Sequence, residues 1–230
     1  KGAIIEGLQA YTSVLEIPGE VDLAIIVVNA KFVLSTIDQC HEKGIKGLCI
    51  ITAGFKETGA EGAEAEKQLL AKVREYGMRC VGPNCLGVVN THPDIRMDGC
   101  FAESLPERGN IGFVSQSGAL GGGILNILKD LNLGFAQFIS IGNQADVNAE
   151  TALEYWENEA DVEQILLYME SIQNPANFRK LASRISKKKP ILALKAGRSA
   201  AGASAASSHT GSLAGADKAA NALLGQSGVI

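Results

Sequence analysis

The chain has 230 residues, 46% hydrophobic and 20% charged, with a formal net charge of -4. That length suits one large domain or two modest ones, and the acidic balance excludes a broad nucleic-acid footprint. No apolar run reaches the roughly 20 residues of a bilayer span, and the expectation is a protein with neither signal peptide nor membrane segment.

In chain order, residues 21–28 form a continuous β-branched run of the kind a doubly covered parallel strand needs. An amphipathic helix is predicted over residues 32–43, closed by Gly44 as a C-cap. A strand over 47–52, a helix over 61–76 closed by Gly77, and a short strand over 79–81 complete a first α/β series. Periodicity fails over residues 94–110, where Pro93, Gly99 and Pro106 interrupt the pattern, and this stretch is read as the linker. The second series runs strand 111–115, helix 119–131, strand 136–141, helix 149–158, strand 164–169, helix 175–187 and strand 190–195. A long small-residue loop follows, and a helix over 214–224 closes the series. Lys187, Lys188 and Lys189 read as a solvated helix end suited to the helix dipole.

The fold class predicted is α/β with parallel sheets flanked by helices: a Rossmann-like domain over 1–100 and a flavodoxin-like domain over 107–230. A Rossmann-like domain sets its glycine-rich phosphate loop after its first strand, and nothing before residue 21 supplies one. The expectation is therefore a first domain whose amino-terminal unit is missing. The five cysteines, Cys40, Cys49, Cys80, Cys85 and Cys100, form no CxxC pair. They are read as reduced, mostly buried thiols of a cytoplasmic protein.

Four segments carry chemistry. Ser115, Gln116, Ser117 and Gly118 join a strand to a helix, where outward-pointing amides favour a phosphate or carboxylate; a plain N-cap is the competing reading. His209 sits within Ser207-Ser208-His209-Thr210-Gly211, in a loop of Ala, Ser and Gly after a strand's carboxyl end, where open α/β sheets bind ligands. Neutral imidazole is a competent nucleophile there, against the alternative of an incidental loop histidine. Glu170 ends the strand 164–169; it either orients an imidazole or is an exposed strand-end carboxylate. Gly82-Pro83-Asn84-Cys85-Leu86-Gly87 is a rigid turn, and Cys85 has no base beside it to make it a nucleophile.

These segments, together with Gly142-Asn143-Gln144-Ala145-Asp146, occur in the order found in the succinyl-CoA synthetase superfamily, and the whole chain resembles its ADP-forming acyl-CoA synthetase branch. The resemblance implies a CoA-binding Rossmann-like domain followed by a flavodoxin-like ligase domain. It implies that His209 is phosphorylated, that Glu170 steadies the phosphohistidine, and that Ser115, Gln116, Ser117 and Gly118 cradle the phosphoryl group. Asn84 and Cys85 then approach the thiol end of CoA in binding rather than nucleophilic roles. Val28, Asn29, Thr52, Ala53 and Gly54 match segments lining the CoA and acyl pocket. The partners implied are acyl-CoA, phosphate, and an ATP-grasp subunit or domain that holds ADP or ATP with Mg²⁺, in a complete enzyme expected to be oligomeric. With the glycine-rich loop absent, the first domain is expected to bind CoA weakly. No metal site is expected on this chain. A non-catalytic CoA-sensing module is the alternative, and His209 counts against it. A nicotinamide-dependent oxidoreductase lacks its GxGxxG.

Overall fold

The computed structural model describes residues 3–103, 107–196 and 217–230. It opens with a small antiparallel pair, β1 (Ile4–Ile5) and β2 (Leu8–Gln9), which the sequence reading does not contain. A parallel three-stranded sheet follows, ordered β3 (Leu23–Ile26), β4 (Gly47–Ile50) and β5 (Arg79–Val81). Helix α1 (Ala30–Lys43) starts at Asn29, whose side chain caps Lys31 N, and ends at the left-handed Gly44. Its Val33, Ile37 and Cys40 recur at helical spacing and bury against Ile26, Leu48 and Ile50 and against Leu69 and Val73 of α2 (Ala60–Glu75). Burying each large apolar side chain contributes about 1.5–3 kcal/mol. Ile26 lies level with Ile50, and Cys49 with Val81, so the loops after all three strands emerge from one carboxyl edge.

The second sheet has six strands, ordered β11-β10-β8-β9-β6-β7. Its parallel part is β8 (Arg108–Ser115), β9 (Phe135–Ser140), β10 (Gln164–Met169) and β11 (Ile191–Lys195). Helices α3 (Gly118–Asp130), α4 (Ala149–Trp156), α5 (Pro175–Ile185) and α6 (Asp217–Gln226) accompany it. Trp156 is fully buried and donates its indole N–H to Gln137 Oε1 at 2.7 Å. Gly112 must be small beneath it, since a Cβ there would lie 2.9 Å from Trp156 Cδ2.

The reading of 94–110 as a linker needs correction. Strands β6 (Gly87–Asn90) and β7 (Met97–Cys100) pair antiparallel with each other, and β6 pairs antiparallel with β9, so both belong to the second sheet. The chain therefore crosses between sheets just after Cys85, ahead of the expected break at residue 100. Each strand is only four residues long and glycine-bearing, which hides its period. The glycines have a packing reason: a Cβ on Gly87 would lie 2.1 Å from Gly99 O.

The two sheets are stitched together through the segment after β9. Asn143 N donates to Pro83 O, Ala145 N to Gly82 O and Val147 N to Cys80 O, at 2.9, 3.1 and 3.1 Å. Asp146 adds its carboxylate, accepting from Arg79 Nε at 2.7 Å and from Cys80 N at 3.0 Å.

Candidate functional site

Strand β8 ends at Ser115, and α3 begins at Gly118 after two intervening residues. Ser117 caps the helix, its Oγ accepting from Leu120 N at 3.3 Å, while Ser115 Oγ donates to Ser117 O at 2.6 Å. Gly121 lets the helix lie close on the strand, since a Cβ there would meet Ser115 Cβ at 3.1 Å. The first-turn amides of Gly118 and Ala119 have no partner within a helix ladder, and the dipole favours an anion before them.

These amides face a cleft of about 330 Å³. Its lining is Gln116, Ser117, Gly118 and Ala119 from the turn into α3, Asn84, Cys85 and Leu86 from the turn before β6, and Gly142, Asn143 and the exposed Phe101. The cleft thus sits where the carboxyl edges of the two sheets meet, as ligand sites in open α/β folds do.

Gln116 lines the cleft with its side chain already committed. Its Oε1 accepts from Glu170 N at 2.5 Å and Ser171 N at 2.9 Å, and its Nε2 donates to Ser171 O at 2.6 Å. Gln116 therefore ties the end of β8 to the end of β10, and holds Glu170 in place. Glu170 is buried, and its carbonyl also accepts from Lys195 Nζ at 2.8 Å.

Cys85 is 5% exposed. Its Sγ lies 3.8 Å from Cys49 Sγ and donates to Ile50 O at 3.3 Å. The contact with Cys49 and burial both push the Cys85 thiol well above its ordinary range, so the thiolate that attack requires is suppressed. Cys80, deeper in the sheet, is pushed up to about 12 by burial.

The remaining candidates lie on the first sheet's carboxyl edge, outside the cleft lining. Thr52 Oγ1 donates to Val28 O at 2.7 Å and accepts from Val28 N at 3.2 Å, while Thr52 O accepts from Asn84 N at 3.0 Å. Asn29 spends its side-chain oxygen on the cap of α1. Ala53 is exposed, and Gly54 takes φ 109°, with its amide donating to Glu57 Oε1 at 2.5 Å. His209 lies outside the described residues.

Residues without a role in the sequence reading complete the site. Asn143 Nδ2 donates to Glu57 Oε2 at 2.6 Å and Glu66 Oε2 at 2.7 Å, and Asn84 Nδ2 donates to Asn143 Oδ1 at 3.2 Å. Lys56 Nζ donates to Asn143 O and pairs with Glu66 at 3.5 Å. Burial raises the Glu57 carboxyl, but hydrogen bonds from Asn143, Gly54 and Phe55 outweigh it and hold the group below its ordinary value. The motif around Asn143 is visible in the sequence; its partners, 77 and 86 residues away, are not. Among the described residues no cluster of His, Cys, Asp and Glu is arranged to hold a metal, and no helix is long and apolar enough to cross a membrane.

Residues 108–230 match the family described as the succinyl-CoA ligase like flavodoxin domain, and residues 1–91 match a CoA binding domain. The alpha subunit of an ADP-forming acetate–CoA ligase II from Pyrococcus furiosus is 50% identical over 226 residues, 98% of this chain and 49% of that protein. An ADP-forming 4-hydroxybutyrate–CoA ligase from Nitrosopumilus maritimus is 42% identical, over 96% of this chain and 32% of that protein. Among solved structures, a dinucleotide-forming acetyl-coenzyme A synthetase 1 from Ca. Korarchaeum cryptofilum, in complex with phosphate and ADP, superposes with a TM-score of 0.90 at 37% identity. That match covers 98% of this chain and 48% of the solved one. The chain thus spans about a third to about a half of the length of these relatives.

Proposed function

From the premise that the chain belongs to the succinyl-CoA ligase family, with a CoA-binding domain ahead of its flavodoxin-like domain, we propose that it is the acyl-CoA-handling part of a nucleoside-diphosphate-forming acyl-CoA synthetase. The complete enzyme converts acyl-CoA, phosphate and ADP reversibly to acid, CoA and ATP, with an ATP-grasp subunit or domain holding the nucleotide and Mg²⁺. Five cysteines without a CxxC pair fit a cytoplasmic enzyme.

The observation that carries the proposal is the cleft itself: a helix terminus suited to an anion and the Asn84-Cys85 turn line one space. In the acyl-transfer half, a phosphate oxygen attacks the thioester carbonyl, the C–S bond breaks, and CoA leaves as its thiol while an acyl phosphate forms. The amides of Gly118 and Ala119 face the charge that gathers on the phosphate. In the phosphoryl half, an imidazole nitrogen of His209 attacks phosphorus and the carboxylate leaves. Phosphohistidine then passes its phosphoryl group to ADP, a transfer governed by positioning and charge stabilisation. Gln116 anchors the backbone of Glu170 at the end of β10, and the role assigned to its carboxylate is to hold the imidazole tautomer.

The test uses the complete enzyme, this chain together with its ATP-grasp region. Incubation with acyl-CoA and radiolabelled phosphate, or with ATP and Mg²⁺, yields an acid-labile phosphoprotein that His209→Ala lacks. A label persisting in His209→Ala refutes the assignment. A full-length gene product with neither an ATP-grasp region nor a partner supplying one refutes the reaction.

A further inference from the structure

The amide of Asn143 has both of its hydrogens placed between carboxylates, 2.6 Å from Glu57 and 2.7 Å from Glu66. An ionised carboxylate only accepts, so the NH₂ end must face the two acids and the oxygen must face the other way. That oxygen meets Asn84 Nδ2 at 3.2 Å, and a carbonyl oxygen in turn admits only a donor. The orientation of the Asn84 amide is thereby set as well. Its NH₂ end is turned to Asn143, within the cleft that both residues line, and its own oxygen is turned away from Asn143.

We propose that Asn143, held by Glu57 and Glu66, is a positioning residue that fixes the Asn84 amide for acyl-CoA. This rests on the reading of the cleft as the acyl-transfer site. Several observations support it beyond the contacts themselves. Asn143 is 7% exposed and Glu66 is 8% exposed, so water offers the pair few alternative partners. Glu57 also accepts from Gly54 N at 2.5 Å and Phe55 N at 3.1 Å, so the same carboxylate orders the first domain's loop beside Thr52. Backbone bonds fix the two turns against each other independently, through Asn143 N to Pro83 O and Ala145 N to Gly82 O. The side-chain relay is therefore not needed to hold the chain in place, and its distinct consequence is the direction in which the Asn84 amide points.

The experiment compares two half-reactions in the complete enzyme with its ATP-grasp region. ATP–ADP exchange through the phosphoenzyme involves no CoA; phosphate-dependent cleavage of acyl-CoA does. Asn143→Ala is expected to lower kcat/KM for acyl-CoA by about tenfold, the scale of one oriented hydrogen bond, while exchange stays within about twofold of wild type. Because the residue acts through Asn84, adding Asn143→Ala to Asn84→Gly is expected to change acyl-CoA cleavage by less than about twofold. Glycine is the replacement at position 84 because that residue sits at φ 57°. Equal losses in both half-reactions, additive effects in the double variant, or no loss in acyl-CoA cleavage would each overturn the proposal. If Asn143→Ala does not fold, Glu57→Gln provides the same comparison, since it weakens one of the two carboxylates that orient Asn143. Absence of phosphoenzyme exchange in the wild type would instead count against the proposed function.

Discussion

Replacing Gly142 with alanine tests whether the two sheets are joined as tightly as the backbone indicates. Gly142 has φ 50°, and a Cβ there would lie 2.4 Å from Pro83 O and 2.3 Å from Asn84 O. A relaxed carbon–oxygen contact is about 3.3 Å, so one backbone or the other must retreat by nearly 1 Å. The left-handed conformation costs an L-residue about 1–2 kcal/mol, and overpacking of this kind about 1–3 kcal/mol more. Together these come to about 2–5 kcal/mol, which in a protein of this size lowers Tm by about 5–15 °C. Gly123→Ala is the internal control. It lies mid-helix in α3 with nothing within 4 Å of its would-be Cβ, and gains about 0.5–1 kcal/mol from the lost glycine entropy. Thermal melts of the two variants in one buffer should therefore move in opposite directions. A Gly142→Ala Tm within about 2 °C of wild type would show that the turns yield freely and refute the reasoning.

Three further outcomes are expected. Glu170→Gln slows phosphoryl transfer about ten- to a hundredfold, the range of a lost charge-assisted hydrogen bond, with little change in KM for acyl-CoA; unchanged turnover would make it a scaffold carboxylate. Cys85→Ser retains most activity, because the hydroxyl can still donate to Ile50 O; complete loss in a folded variant would reinstate a thiol mechanism. Glu150 is buried, and burial raises its pKa in the folded protein, so its contribution is fully present below the unfolded value near about 4.3 and is lost as pH rises through the folded value. Glu150→Gln is accordingly more stable than wild type at neutral pH, and urea melts at falling pH should show that advantage disappearing.

Most of the α/β alternation was legible because parallel strands covered on both faces carry uninterrupted apolar runs, as residues 165–169 do. β6 and β7 were not, because four-residue strands containing Gly87 and Gly99 look like a broken pattern until the opposing backbone is seen. In the site, the cap at Ser117 and the turn at Asn84 could be read from local residue types. Gln116 reads locally as part of a phosphate turn, yet its side chain is spent on Ser171, 55 residues away. Asn143 presents the converse: its amide is given direction by Glu57, in the turn ahead of α2, and by Glu66 of α2.

The chain's one tryptophan, Trp156, lies in the core of the second sheet, while the core beneath α1 and α2 has none. Indole emission is therefore a private reporter of one half of the molecule, whereas far-ultraviolet circular dichroism sees both. If the stitch from Cys80 to Val147 makes the halves unfold as one cooperative unit, the two optical traces superimpose in denaturant. If each sheet melts alone, the ellipticity changes in two steps and the fluorescence in one. A single native chromophore can thus measure the coupling between the two sheets without a label.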